Sequence, residues 1–344
     1  MKQDEIPGKF SGGNRRCSGV AMYGSFRSGW WQETAWPAGD RAGTVPSVFD
    51  VDHPRLPRAT LADIRRIRAA YKRTFGHYPN LLRPRRFTEK VQWRKLFDLN
   101  PLFAVLSDKI AVRDFIAARV GADRLPPLLW VGDRVDEIPF DALDPPYVLK
   151  CTHGSNFNVL VRDGADLDID VTRKRLSHGL AVNYGVAWRE PGYAPVRARL
   201  LAERMLRQPD GSPPLEHKLF VFDGRVRVIW TIVVDANHNR QDAVHDPEWS
   251  RLGWQAFNPC HDRPLPRPER LAELIAVAER LGAGFDHVRV DLYDAADGIR
   301  AGELTLYNLG GLVPFVPDEA DLVLGSWWRL RHPIVRALVS MLPH

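Results

Sequence analysis

The chain of 344 residues has little cysteine: three, at Cys17, Cys151 and Cys260, odd in number and far apart. That spacing excludes a disulfide framework and any CxxC zinc arrangement, and it fits a reducing compartment. Long apolar runs are lacking as well. The stretch FVFDGRVRVIWTIVV at 220–234 is broken by Asp223, Arg225 and Arg227, well short of the roughly 20 apolar residues that a spanning helix needs. The first residues, MKQDEIPGKFSGGNRRCSGVAMYG, carry charges and glycines where a secretory leader has an apolar core, so a cytoplasmic location is expected. Excess charge is small, 48 Lys and Arg against 42 acids. The local basic runs RRIRAAYKR (65–73) and RPRRF (83–87) lack interleaved aromatics that would serve as stacking platforms. They read as solvated helix faces, and no nucleic-acid partner is expected.

What is present is an ordinary globular balance, 44% hydrophobic and 26% charged, in a chain long enough for two modest lobes with a core each. Residues 1–57, rich in Gly, Ser, Pro and Arg, read as a loosely ordered extension. A helical region follows over 58–124. It comprises TLADIRRIRAAYKRTFG, with Leu61, Ile64, Ile67 and Tyr71 at helical spacing and Gly76 as the stop, then FTEKVQWRKLFD (87–98) with Thr88 as its cap, then SDKIAVRDFIAARVG (107–121). Short apolar runs at 125–133, 145–154, 158–164 and 198–206 predict strands, with a helix at 171–185 between the last two. HKLFVFDGRVRVIWTIV predicts a hairpin turning at Asp223-Gly224. RPERLAELIAVAERLGAG (267–284) predicts a helix, and 287–308 two strands turning near Asp297-Gly298. Hairpins with helices inserted between them imply an α+β fold rather than a doubly wound parallel sheet.

Three places carry chemistry. In VRVDLYDAADGIRAGELTLYN, Asp291 and Glu303 stand on paired strands where their carboxylates form a hard-oxygen pair suited to Mg²⁺, and Arg289 shares the face of Asp291. On spacing alone a solvated surface pair is the competing reading. In YVLKCTHGSNFNVLV, Lys150 enters a small-residue turn at Gly154-Ser155-Asn156 whose backbone N–H groups can cradle phosphate oxygens. This is not the GxxxxGK[ST] loop, which precedes a helix. Lys109, Glu203 and Lys218 are each unremarkable alone; the order of all these elements along the chain is less easily a coincidence.

That order resembles the TupA-like branch of the ATP-grasp superfamily, associated with bacterial surface polysaccharides such as teichuronopeptide. The likeness covers about 87–330 and rests on FTEKVQWRKLFD, SDKIAVRDFI, YVLKCTHGSNFN, LLAERML, HKLFVFDGRV, VRVDLY and GELTLYNLGGLVPFVPDEADLVLG. It implies an ATP-grasp fold of two α+β lobes, 125–206 and 207–330, with the nucleotide between them. By resemblance Lys109 and Lys150 look like the nucleotide-binding lysines, and His153, Gly154, Ser155 and Asn156 look like the loop over the phosphates. Glu203 is similar to the acid that contacts ribose, with Ala202, Arg204 and Met205 lining the adenine slot. Arg289 looks like the arginine that stabilises the transferred phosphoryl group, Lys218 is a further phosphate or substrate contact, and Asp291 and Glu303 look like the magnesium ligands. The family commonly has Asn two residues after the metal Glu; here Thr305 stands there, so the third ligand is the Thr305 hydroxyl, Asn308 or water.

The implied cofactors are ATP and Mg²⁺, and the implied activity joins an amine or amino acid to a sugar or polysaccharide carboxylate through an acyl phosphate. Glycosyl transfer and a non-catalytic nucleotide-binding role are the alternatives. The tail SWWRLRHPIVRALVSMLPH (326–344) offers peripheral contact with the inner membrane face; packing of Trp327 and Trp328 on the core is the preferred reading.

Overall fold

The computed structural model of the chain describes residues 55–330, apart from 235–238 and 257. Nearly all of the expected extension, and the tail from 331 on, lie outside the described residues. The first helix, α1 (Leu61–Phe75), forms where its period predicts. The Thr60 hydroxyl accepts the Asp63 amide at 3.2 Å, the Asp63 carboxylate accepts the Thr60 amide at 3.0 Å, and Gly76 ends the helix at φ 80°. Ile67 and Tyr71 are buried, whereas Leu61 is left in solvent.

Helix α2 (Phe87–Phe97) starts after Arg86, and Thr88 is not its cap. The Glu89 carboxylate accepts the backbone N–H groups of Asn80, Arg85 and Arg86, which frees the Thr88 hydroxyl to donate to Asp321 at 2.6 Å. This helix is buried on nearly every side despite its polar residues. Arg94 donates to the carbonyls of His287 and Leu306 and to Asp286, while Gln92 donates to the carbonyls of Gly310 and Gly311. Buried polar groups are tolerated when each donor finds an acceptor, so α2 acts as a polar strut under the C-terminal part of the chain.

The helix expected over 107–121 is α4 (Ala111–Val120), and a short helix that the sequence reading did not contain, α3 (Leu102–Ser107), precedes it. The chain is extended at Asp108, whose carboxylate accepts the Ile110 amide at 2.8 Å, and the Lys109 amide is drawn away to the Thr152 carbonyl at 3.1 Å. An Asx-type bond of this kind competes with helix continuation. Gly121 terminates α4 as expected.

The first sheet comprises β1 (Leu128–Gly132), β2 (Tyr147–Cys151), β3 (Val159–Val161) and β4 (Leu200–Arg204), antiparallel in the order β1-β4-β2-β3. One face, with Leu149, Cys151, Leu200 and Ala202, forms a small core with α5 (Ile169–Ala181), which is followed by α6 (Tyr184–Trp188). A glycine is needed at position 179 of α5, since a Cβ there would lie 2.7 Å from the Cys151 sulfur.

The second sheet comprises β5 (Glu216–Phe222), β6 (Arg225–Val234), β7 (Arg240–His245), β8 (His287–Ala295) and β9 (Gly298–Thr305), in the order β7-β6-β5-β8-β9. The β5–β6 turn has positive φ at both Asp223 and Gly224, 47° and 76°, as a primed turn requires. Val221, Val288, Val290 and Leu292 join a core with α7 (Leu271–Gly282). On the opposite face Phe220, Phe222 and His287 stack beneath Phe87 and Trp328, the latter just past α8 (Glu319–Trp327). Trp328 is fully buried and Trp327 packs against the same core. The architecture is thus α+β with two antiparallel sheets. Strand β7 and helix α8 are additions that the sequence reading did not contain.

His217 is buried on β5, its Nδ1 2.9 Å from the Thr231 hydroxyl, and burial, followed by repulsion from His245, pushes its imidazole down to about 4. Because the folded protein disfavours the protonated ring, its contribution is present above the unfolded value of about 6.5 and is lost as pH falls from there toward 4. Wild-type protein is expected to lose about 2 kcal/mol more than His217→Gln between pH 7 and 5 in urea titrations. Equal losses would contradict this.

Candidate active site

The two sheets meet at a seam whose main pocket is narrow, about 30 Å³, room for roughly one or two waters. Lys109 and Arg113 reach it from one side, Glu203 from β4, and Gly302 and Glu303 from β9. Admitting a nucleotide therefore requires the sheets to part.

On the first sheet, Lys150 lies two residues from Val148, the register partner of Glu203, so Lys150 and Glu203 occupy one face. They form an ion pair, both nearly inaccessible to solvent. Ala202 and Arg204 point to the other face: Ala202 belongs to the small core and Arg204 donates to the Asp144 carbonyl at 2.8 Å. Met205 is half-buried, with its amide bonded to the Pro146 carbonyl. The adenine-slot trio is therefore split, with only Glu203 of that segment lining the pocket.

The turn after β2 is well tied. Lys109 Nζ donates to the Gly154 carbonyl, His153 Nε2 lies 3.0 Å from the Val182 carbonyl, and the Ser155 hydroxyl meets the Tyr184 hydroxyl at 2.7 Å. Asn156 takes the left-handed conformation, φ 71°, and its carbonyl accepts from Arg175. Burial lowers the pKa of Lys109, against which Glu303, Cys151 and Asp108 act electrostatically. At the seam Lys109, from the α3–α4 joint, is thus within electrostatic reach of the Glu303 carboxylate of β9.

The second sheet carries a continuous row of charge on one face. Lys218 pairs in register with Asp291, and Asp291 with Glu303. Arg289 grips Asp291 with a two-point fork, Nε to Oδ1 at 2.6 Å and Nη2 to Oδ2 at 2.7 Å, and its Nη1 donates to the Asn308 side-chain oxygen. Lys218 Nζ lies 2.7 Å from Asp291 Oδ2 and 2.5 Å from Glu216 Oε1, and Arg240 reaches Glu216 at 3.2 Å. Burial opposes ionisation of Asp291, but the Arg289 guanidinium and the Lys218 ammonium override it and hold the carboxyl below the usual range.

Asp291, Glu303, Thr305 and Asn308 offer oxygen donors only, which is the chemistry Mg²⁺ takes, usually one or two carboxylates with substrate phosphates completing the shell. Their present engagements differ. Both Asp291 oxygens are held by cations and Asn308 by Arg289, whereas no hydrogen bond or ion pair holds Glu303, and the buried Thr305 hydroxyl has no partner among the described residues. The donor set fits the ion, with Glu303 and Thr305 the readier donors.

Sequence reasoning passed over Glu216, Arg240, Tyr193 and Arg113. Glu216 was within reach, since it stands two residues before Lys218 on a strand and so shares its face. Arg240 needed strand β7, and Tyr193, a pocket-lining phenol, sits in a turn with no periodic signal. Arg113 stands in the first turn of α4, four residues after Lys109 in the chain.

Residues 89–329, well over half of the chain, match the model of the family described as TupA-like ATPgrasp. No curated protein matches. Among solved structures the chain is similar to the ATP-grasp ligase PsnB complexed with minimal precursor, at 13% identity over 70% of this chain and 61% of that one, TM-score 0.36. It is also similar to D-alanine–D-alanine ligase from Bacillus anthracis, at 18% identity over 60% and 58%, TM-score 0.36. A third is N5-carboxyaminoimidazole synthase from Aspergillus clavatus in complex with ADP and 5-aminoimidazole ribonucleotide, at 14% over 58% and 44%, TM-score 0.33. The chain spans about three fifths of the length of the first two structures. With its ordered motifs matched across 89–329, the chain belongs to the TupA-like ATP-grasp family.

Proposed function

We propose that the chain is an ATP- and Mg²⁺-dependent carboxylate–amine ligase. The observation that carries this reading is a pocket lined by Lys109 from the α3–α4 joint, Glu203 from the first sheet and Glu303 from the second, beside a row of buried charge that is already organised. Lys109 and Lys150 contact the nucleotide phosphates under the turn His153 to Asn156. Glu203 orients Lys150 and accepts from the ribose. Arg289, fixed by Asp291 and Asn308, presents its positive charge to the phosphoryl group in transfer, with no reorganisation needed at that moment. Asp291, Glu303 and Thr305 are the residues that would hold Mg²⁺, which when bound would neutralise charge on the β- and γ-phosphates.

The chemistry balances in two steps. A substrate carboxylate oxygen attacks the γ-phosphorus and releases ADP; an amine then attacks the acyl carbon, and inorganic phosphate leaves with one proton lost from nitrogen. An amino acid or peptide as amine and a uronic-acid sugar as carboxylate are the proposed substrates, on the association of the family with surface polysaccharides. The seam supplies two sheets that close on the reactants and exclude water, which protects an acyl phosphate from hydrolysis.

The test is ADP release across a panel of amino acids with uronic-acid acceptors, in the presence of Mg²⁺. ADP formation is expected to require a carboxylate, and added hydroxylamine is expected to yield the hydroxamate of that acid. Turnover of a UDP-sugar without consumption of ATP would overturn the ligase in favour of glycosyl transfer.

A further inference from the structure

The cations around the seam differ in what they face. Lys150 pairs with Glu203, Lys218 with Glu216 and Asp291, and Arg289 with Asp291. Arg113 differs from these three. Only 4% of it is exposed, it lines the seam pocket, and its Nε and Nη2 atoms have no hydrogen-bond partner among the described residues. No ion pair engages it there; Asp114, its chain neighbour, is the only charge that acts on it appreciably. Burial pulls its guanidinium down to about 10, so it stays charged at neutral pH.

A buried charge without a partner costs the fold several kcal/mol unless something compensates it. The Arg113 backbone is fixed in the first turn of α4, the amide bonded to the Ile110 carbonyl at 3.1 Å, next to the buried Val112. A desolvated fork of N–H donors lining a pocket is complementary to an oxyanion that arrives with a ligand. Lys109, just before α4, lines the same pocket and likewise makes no ion pair with a carboxylate among the described residues; its Nζ spends a hydrogen bond on the Gly154 carbonyl. The two together make a doubly cationic wall. The lining also includes Leu106, Val112, Ile116 and Leu125, which suit an apolar base, and the carboxylates of Glu203 and Glu303, of which Glu203 suits a ribose hydroxyl. Base, sugar and oxyanion in one pocket describe a nucleotide.

We infer that Arg113 is a nucleotide-binding residue that donates its guanidinium fork to a phosphate of the bound ATP, retained in the fold at a cost in stability because the ligand compensates it. This inference rests on the ligase reading above. It deepens that reading by naming a phosphate contact for which a buried donor stands ready.

The test is calorimetry of ATP, ADP, AMP and adenosine, each with Mg²⁺, on wild type, Arg113→Met and Arg113→Lys, alongside thermal melting. Arg113→Met is expected to weaken the three phosphorylated ligands by about 10- to 100-fold and to leave adenosine unchanged. Its melting temperature should equal or exceed that of wild type, because an unpaired buried charge has been replaced by an apolar side chain of similar length. Arg113→Lys keeps the charge without the fork and is expected to lose affinity several-fold. Should Arg113→Met not fold, the lysine variant decides the matter, and wild-type affinity in it would overturn the inference. Equal weakening of adenosine, or unchanged nucleotide affinity with a raised KM for the carboxylate substrate, would overturn it too. Failure of wild type to bind any nucleotide would instead remove the ligase reading itself.

Discussion

Glu303→Gln is expected to abolish most turnover, by at least about 100-fold, while melting like wild type to within about 1 kcal/mol of stability. The expectation follows from what holds this side chain. Glu303 stands on β9 opposite Asp291, half-buried at the seam, and no hydrogen bond or ion pair engages it among the described residues. Its amide isostere keeps shape and breaks no hydrogen bond, so the fold has little to lose. What changes is one negative charge beside Lys109 and the unpartnered Thr305 hydroxyl, where the proposed metal and phosphates meet. The check is ATP turnover as a function of Mg²⁺, with circular dichroism for folding. A solvated surface carboxylate would give wild-type turnover and wild-type Mg²⁺ dependence in the variant, and that outcome would sink the proposed site.

Much of this site was legible because it lies in local patterns. Period-two alternation placed Arg289 and Asp291 on one face, and they make the two-point contact that shared face allows. The turn at Asp223-Gly224 and the cap at Gly76 require left-handed backbone, and the residues there are those that adopt it most readily. The partner of Asp291 on β5 was not legible. Lys218 reaches it because β5 lies between β6 and β8, and a reading by hairpins joins β5 to β6 and β8 to β9 without saying which hairpins adjoin. Helix α2 was found by its period, yet its role was hidden. Its polar residues imply a solvent face, and only the tertiary structure supplies the carbonyls and carboxylates that let Thr88, Gln92 and Arg94 be buried. Helix α3 went unread for the opposite reason: Ser107 or Asp108 reads as the start of a helix, and here Asp108 also ends the short helix before it. That break is what sets Lys109 free of helical geometry to meet the Gly154 carbonyl.

Asp291→Asn is expected to behave unlike its partner across the hairpin, losing about 3–5 kcal/mol of stability together with turnover. From the sequence the two carboxylates were interchangeable as ligands; in the structure they are not. Asp291 is 1% exposed, and both its oxygens accept from cations, Oδ1 from Arg289 and Oδ2 from Arg289 and Lys218. An amide turns an N–H₂ toward at least one of these donors and removes the charge that compensates a buried guanidinium, and breaking a buried pair from one side costs far more than removing both partners. The pH dependence has a definite sign. With the folded pKa held below the unfolded value, the carboxylate contributes stability above the ordinary aspartate range and loses it as pH falls through the depressed value, so the wild type gains over the variant as acid is removed. Arg289→Met combined with Asp291→Asn should recover part of the loss, since neither charge is then left alone. Urea unfolding of wild type, both single variants and the double variant at pH 7 measures this directly. Wild-type stability in Asp291→Asn, or a double variant no more stable than the sum of the single losses, would mean that the fork between these residues does not hold the sheet face together, and Asp291 would then stand level with Glu303 as a ligand whose only work is done when substrate is bound.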